Sequence, residues 1–119
     1  MKIKNISLYN EDTLLYLVNS DSTNLGFEFN SVDKFEVCSL GSYKVDLVIA
    51  EGVDYHWYRQ NPDGSWSHKP GRTDVLNVDA SNEVIFDPEL ADRSYYYANY
   101  SIFVGFFEVT PLNNMFDFP

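Results

Sequence analysis

The turn Asn61–Gly64 is the sequence feature that most constrains the fold. Pro62 stands at its second position and Gly64 at its fourth, which suits a type I turn followed by a left-handed glycine bulge. The flanking segments, residues 55–60 and 65–69, are rich in the aromatic residues that strands favour. The sequence therefore predicts a β-hairpin in an antiparallel sheet.

The same turn predicts the register of the hairpin. With a glycine bulge, the numbers of paired residues have a constant sum, so Gln60 pairs with Trp66 and Tyr58 with His68. Because side chains alternate between the faces of a strand, His56 joins Tyr58 and His68 on one face. A loop of different length would move His68 to the other face.

Other segments complete the predicted fold. Residues 43–50 are apolar and β-branched, which predicts a central strand, and residues 95–109 predict the last strand, with a bulge or close backbone packing at Gly105. Residues 26–29, 75–78 and 84–86 are shorter strand candidates. Residues 10–18 and 32–37 fit either a helix or a strand.

One short helix is predicted from its capping pattern. In Asp87–Arg93, Asp87 suits the N-cap, Pro88 the first helical position and Glu89 the positive end of the helix dipole. We therefore expect an α+β fold, mostly an antiparallel β-sheet of about four to six strands with one or two short helices.

Composition predicts one independently folding domain. The chain has 119 residues, of which 45% are hydrophobic, enough to bury a core without disulfides. We divide it into a variable part (1–42), a β core (43–109) and a loose tail (110–119). Cys38 is the single cysteine, and no signal peptide or membrane span is recognisable, so we expect a cytoplasmic protein without a cofactor.

The charge predicts the kind of partner. A net charge of −10 repels nucleic acids and anionic membranes and attracts basic protein surfaces. Residues 73–119 hold eight acidic residues and one basic residue, Arg93, and they include a run of exposed-looking tyrosines. Tyrosine is common at interface hot spots. The predicted partner-binding residues are Asp74, Asp79, Glu83, Asp87, Glu89, Asp92, Tyr95, Tyr96 and Tyr97.

Residues 43–109 also contain a series of particular motifs. They are Asp-Tyr-His-Trp-Tyr-Arg-Gln at 54–60, Gly-Ser-Trp-Ser-His-Lys-Pro-Gly at 64–71, Asn-Val-Asp-Ala-Ser at 77–81, Asp-Pro at 87–88, Ala-Asp-Arg at 91–93 and Gly-Phe-Phe at 105–107. This series resembles the C-terminal half of uncharacterised bacterial proteins of the papain-like, peptidoglycan-hydrolase type of cysteine enzyme.

The resemblance implies a site in which a cysteine attacks, His56 is its base, and His68 or Asp79 orients the imidazole. The cysteine motif of that family is not found in residues 1–42, and Cys38 is the sole substitute. No predicted helix N-terminus stands beside Cys38 to lower its pKa, so we expect a small, buried, unreactive side chain.

Three functions follow as hypotheses. The leading one is a non-catalytic, acidic protein-binding module, in its concrete form a phage or mobile-element inhibitor of the anti-CRISPR or anti-restriction type that covers a basic nucleic-acid-binding surface. The first alternative is a cysteine hydrolase or amidase that uses Cys38, His56 and Asp79. The second is a structural or assembly subunit that self-associates. A metal site of both histidines with Asp54, Asp74 or Asp79 matches no ligand spacing, so no metal is expected.

Overall fold

The computed structural model describes residues 26–70 and 74–111, together with Asp12 and Leu15. The first two ranges contain five strands, and neighbouring strands are antiparallel in the order β1-β5-β2-β3-β4. The predicted antiparallel sheet, with the strand at 43–50 in its centre, is confirmed. The strands are β1 (Phe27–Val32), β2 (Tyr43–Ala50), β3 (Asp54–Gln60), β4 (Trp66–Ser67) and β5 (Ile102–Pro111).

The hairpin between β3 and β4 has the predicted turn and register. The N–H of Gly64 donates to the carbonyl of Asn61 over 3.0 Å, and Gly64 has the left-handed φ of 91° that the turn requires. Gln60 pairs with Trp66. Beyond β4, the ring centroids of Tyr58 and His68 lie 4.9 Å apart, as that register demands.

A β-bulge in β5 gives both faces of the sheet their aromatic residues. Leu47 pairs with Gly105 and Val48 with Phe103, so that Val104 is the additional residue. Gly105 takes a φ of 150°, which residues with a side chain rarely adopt. Because of the bulge, Phe103 packs against Phe106 on one face, with ring centroids 5.1 Å apart. The predicted bulge at Gly105 is confirmed.

Each face of the sheet carries its own apolar cluster. The front face, defined by Val48, Tyr58, Trp66 and Phe106, is covered by Ile85, Ala98 and Tyr100 from the segment 74–101. The back face, defined by Val45, Leu47, Ile49 and Phe107, has Leu15 packed against it. The alternation along β2 and β3 produces this division, because successive side chains point to opposite faces.

The segment 74–101 contains no strand at 75–78, at 84–86 or at 95–101, where the sequence predicts strand residues, and it does not contain the predicted helix. Val78 and Val84 form an isolated bridge, and residues 95–98 form a tight turn in which Tyr95 and Ala98 exchange backbone hydrogen bonds. After Asp87 the chain makes a single turn, because the N–H of Asp92, which a longer helix would direct to the carbonyl of Pro88, donates instead to Oδ2 of Asp79.

Other predictions fall at the edges of the described residues. Residues 33–42 form an irregular loop after β1, neither of the two elements considered for 32–37. Apart from Asp12 and Leu15, residues 10–18 lie outside the described part, and so does the tail beyond Pro111. No helix within the described ranges has the length and apolarity needed to cross a membrane.

A buried acid lies under the front face. Asp46 is fully buried on β2, and its carboxylate oxygens have no hydrogen-bond partner among the described residues. Burial raises the pKa of Asp46 to about 8, and the positive charge of Arg93 opposes this rise only in part. The nearby hydroxyls of Tyr58 and Tyr95 also lack partners in the described part of the chain. Asp46 is therefore protonated in the folded protein at neutral pH.

We predict that Asp46→Asn becomes more stable relative to the wild type as the pH rises. The folded protein binds the Asp46 proton more tightly than the unfolded chain, in which the pKa of Asp46 is 3.8. The protein therefore loses the stability that this proton contributes as the pH rises from 3.8 to about 8. Each pKa unit corresponds to about 1.4 kcal/mol, and the difference in unfolding free energy should grow by roughly 2 to 5 kcal/mol across that window.

Urea denaturation of both proteins at several pH values measures this difference. Asp33→Asn, in the exposed loop after β1, is the matched control and should show no such trend. A difference between Asp46→Asn and the wild type that stays constant with pH would show that folding does not raise the pKa of Asp46.

Candidate functional site

Two histidines on the front face contact each other directly. His56 lies on β3 and His68 directly follows β4, so the hairpin register brings them together with Nε2 of His56 2.8 Å from Nδ1 of His68. Nε2 of His68 lies 2.7 Å from the carbonyl oxygen of Val78. The prediction that His56, Tyr58 and His68 share one face is thereby confirmed, and His68 is the residue that orients His56.

The contacts determine where the protons are. A carbonyl oxygen only accepts, so Nε2 of His68 carries a hydrogen and donates it to Val78. In neutral His68, Nδ1 then accepts from the Nε2–H of His56. Nδ1 of His56 is then the ring nitrogen without a hydrogen. This is the nitrogen that would accept a proton from a nucleophile.

Aromatic rings surround the histidine pair. The ring of His56 lies 5.2 Å from that of Tyr58 and 5.3 Å from that of Tyr100, measured between centroids. The Tyr100 hydroxyl donates to Oδ2 of Asp54 over 2.9 Å. His68 is only 4% exposed. These neighbours hold the imidazoles in place and keep water away from them.

The same surroundings keep both histidines neutral. Burial, together with the smaller effect of the adjacent His68, lowers the pKa of His56 to about 4, and Asp54 opposes the change. Burial also lowers the pKa of His68, against the effects of the Val78 carbonyl and Asp79. A base that holds its proton this weakly is far from the optimum for proton transfer near pH 7.

Cys38 does not lie beside His56. Cys38 lies beside Glu108, which accepts the N–H of the next residue, Ser39, over 2.6 Å. Glu108 pairs with Lys44, whereas His56 pairs with Val48. Those two positions on β2 are four residues apart, or roughly 13 Å. Burial raises the pKa of Cys38, and Glu108 raises it further. The structure therefore separates the thiol from the base and keeps it protonated.

Asp79 also has another role than the one the resemblance implies. Its Oδ1 accepts the N–H groups of Ser81 and Glu83, and its Oδ2 accepts that of Asp92. These bonds occupy both oxygens and fix the turn at 79–83. No group of three or more histidine, cysteine or acidic residues within the described ranges is arranged to hold a metal ion.

Most of the acids predicted to bind a partner stabilise the chain itself. Asp92 accepts from the Ser81 hydroxyl and from the N–H of Ser94. Asp87 and Glu89 form ion pairs with Lys34 at 2.7 and 2.9 Å. Asp74 and Glu83 are exposed. The acidic surface is therefore smaller than the sequence suggests.

The three predicted tyrosines differ in exposure. Tyr96 is fully exposed and Tyr97 is half exposed, whereas Tyr95 is partly buried and stacks on Tyr97 with ring centroids 5.4 Å apart. The rings of Tyr96 and Tyr97 are perpendicular. Two of the three tyrosines are thus accessible to a partner.

A basic groove was not predicted. It has a volume of about 1020 Å³ and is lined by four of the five basic residues that the structure describes, Lys34, Lys44, Arg59 and Lys69. The guanidinium of Arg59 lies 4.0 Å from the centre of the Tyr43 ring. These cations come from four separate segments, so no local sequence pattern predicts the groove.

Comparisons with known proteins give one informative similarity. The chain is 48% identical over 67 residues to "Insoluble matrix shell protein 1" of the clam Ruditapes philippinarum. The aligned part covers 56% of this chain and 43% of that relative, so the chain spans less than half of the relative's length. No protein-family model matches the chain, and no solved structure matches it.

We predict that both histidines carry their proton on Nε2 and that His56 titrates at about pH 4. Nitrogen-15 NMR of the imidazoles distinguishes the two tautomers and follows the titration. The pKa of His56 in the folded protein lies below its usual value of 6.5, so protonation of His56 favours unfolding. The protein therefore becomes less stable as the pH falls from 6.5 to about 4. A His56 midpoint near 6.5 would contradict the buried pair.

Proposed function

We propose that this chain is a non-catalytic binding domain that serves as a building block of a protein assembly. The observation that carries the proposal is the position of Cys38 beside Glu108, whose partner on β2 lies four residues along the sheet from the partner of His56. Nucleophilic catalysis needs a thiolate within hydrogen-bond distance of its base. Neither condition is met by these two residues.

The histidine pair has a structural role in this proposal. His68 donates to Val78 through its side chain and exchanges two backbone hydrogen bonds with Leu76. His56 donates to His68 from the neighbouring strand. The pair thereby fastens the irregular segment 74–101 to the β3–β4 hairpin.

The relative supports the assembly part of the proposal. Its name describes an insoluble matrix protein of a shell. The exposed apolar side chains of this chain point in the same direction, since Phe35, Val37, Leu40 and Leu90 are each at least 80% exposed. The more specific roles, inhibition of a nucleic-acid-binding defence protein and a cytoplasmic location, stay predictions.

A second candidate is a thiol hydrolase with His56 as its base. The unprotonated Nδ1 of His56, with His68 held against Nε2, favours it. In this candidate the nucleophile has to approach Nδ1, a position that Cys38 does not occupy.

We predict that Cys38 reacts slowly with iodoacetamide in the folded protein, with a midpoint above pH 9.0, because burial and Glu108 raise its pKa. The rate should rise when the protein is unfolded in urea. His56→Gln is expected to leave the native rate and its pH dependence unchanged. Mass spectrometry of the alkylated chain measures both.

An alkylation midpoint below pH 8, together with its loss in His56→Gln, would show that the two residues form a catalytic pair. That result would contradict the non-catalytic proposal and favour the hydrolase. Asn30→Gln on the exposed side of β1 is a suitable control for effects of substitution as such.

A further inference from the structure

We propose that the partner in the assembly is a second copy of this chain, bound through one bipolar patch. The patch consists of Phe35 and Phe86 at its centre, the basic groove on one side, and Asp87 with Glu89 on the other. This inference rests on the proposed function and names the surface and the partner that would carry it out.

The centre of the patch is apolar and exposed. Phe35 is 89% and Phe86 67% exposed, and both line one small cleft with Lys34 and Asp87. Two phenylalanines that stand in solvent on one cleft are a feature of interaction surfaces and not of an inert surface. Val37 and Leu90, 91% and 80% exposed, extend the apolar area into the flanking loops.

The two sides of the patch have opposite charge. Phe35 and Lys34 line both the cleft and the basic groove, so the groove begins where the cleft ends. In the groove, Arg59 and Lys69 are exposed. On the other side, Glu89 retains 45% of its side-chain exposure although it pairs with Lys34. The exposed cations of the groove, the cleft that holds both phenylalanines and the Lys34–Asp87 ion pair, and the exposed Glu89 thus follow one another on a single surface.

A surface with this arrangement is complementary to itself. Rotation by 180° about an axis that lies in the interface between the two phenylalanines, perpendicular to the direction from the basic to the acidic side, places the basic side of one copy against the acidic side of the other, twice. The stacking of Arg59 on Tyr43 supports this fit, because it orders the guanidinium. A carboxylate can then accept two parallel N–H hydrogen bonds from it. The uneven placement of cations in a chain of net charge −10 is then explained by the interface.

Charge exchange between the two sides tests the inference. Arg59→Glu and Glu89→Lys each place like charges at both contacts of a symmetric dimer, whereas a mixed dimer of the two variants has opposite charges at both. We expect each variant alone to dimerise about tenfold or more weakly than the wild type, and the equimolar mixture to recover to within about threefold. Sedimentation equilibrium at about 0.15 M salt, where the net charges are screened beyond about 8 Å, measures the dissociation constants.

Two further variants make the test specific. Glu51→Lys makes the same charge change in the exposed turn after β2, outside the patch, and should dimerise like the wild type. Phe35→Ser combined with Phe86→Ser should abolish dimerisation while its circular dichroism and thermal unfolding stay close to those of the wild type, since both side chains are exposed.

Three results would overturn the inference. They are a wild type that stays monomeric at high micromolar concentration, a mixture of charge variants that does not recover, and growth beyond the dimer into open-ended polymers. A monomeric wild type that retains a short polyglutamate peptide in the groove would assign the groove to another acidic protein instead. None of these results touches the state of Cys38, so failure here is distinguishable from failure of the non-catalytic proposal.

Discussion

The front face of the sheet is covered by a segment without regular secondary structure, so the backbone polar groups of that segment need partners that a helix or a strand would otherwise provide. Side chains and the hairpin supply them. Asp79 accepts three backbone N–H groups, and His68 accepts or donates at Leu76 and Val78. Ile85 offers its carbonyl to the N–H of Trp66. The burial of the front-face core depends on this set of hydrogen bonds.

The same dependence accounts for residues that look catalytic in the sequence. A histidine pair with one imidazole bonded to a backbone carbonyl, and an aspartate nearby, is what a hydrolase needs, but it is also what fastens an irregular cover to a sheet. The pKa of about 4 for His56 follows from this second role, because a buried imidazole that is already bonded has little to gain from a proton. The carboxylates of Asp79, Asp87 and Asp92 are taken up in a similar way by turns and by Lys34.

Local signals made the hairpin predictable, and distant contacts made other features unpredictable. Pro62 and Gly64 determine a turn within four residues, and the turn determines the register that brings His56 to His68. The helix predicted after Asp87 is limited to one turn, because Asp79, 13 residues before Asp92 in the sequence, accepts the N–H that would continue the helix. The basic groove assembles cations from four segments, and the position of Cys38 depends on Glu108, 70 residues further along. Contacts at such separations leave no periodicity in the sequence.

The strand order has a consequence for how this chain folds during its synthesis on the ribosome. β2, β3 and β4 are joined by short turns and can pair as soon as they emerge, whereas 51 residues (51–101) separate β5 from its partner β2. β1 pairs with β5 and with no other strand of the described sheet. Of the five described strands, the first to be synthesised therefore cannot pair until the last has been synthesised. Its open edge stays available to neighbouring chains during that time.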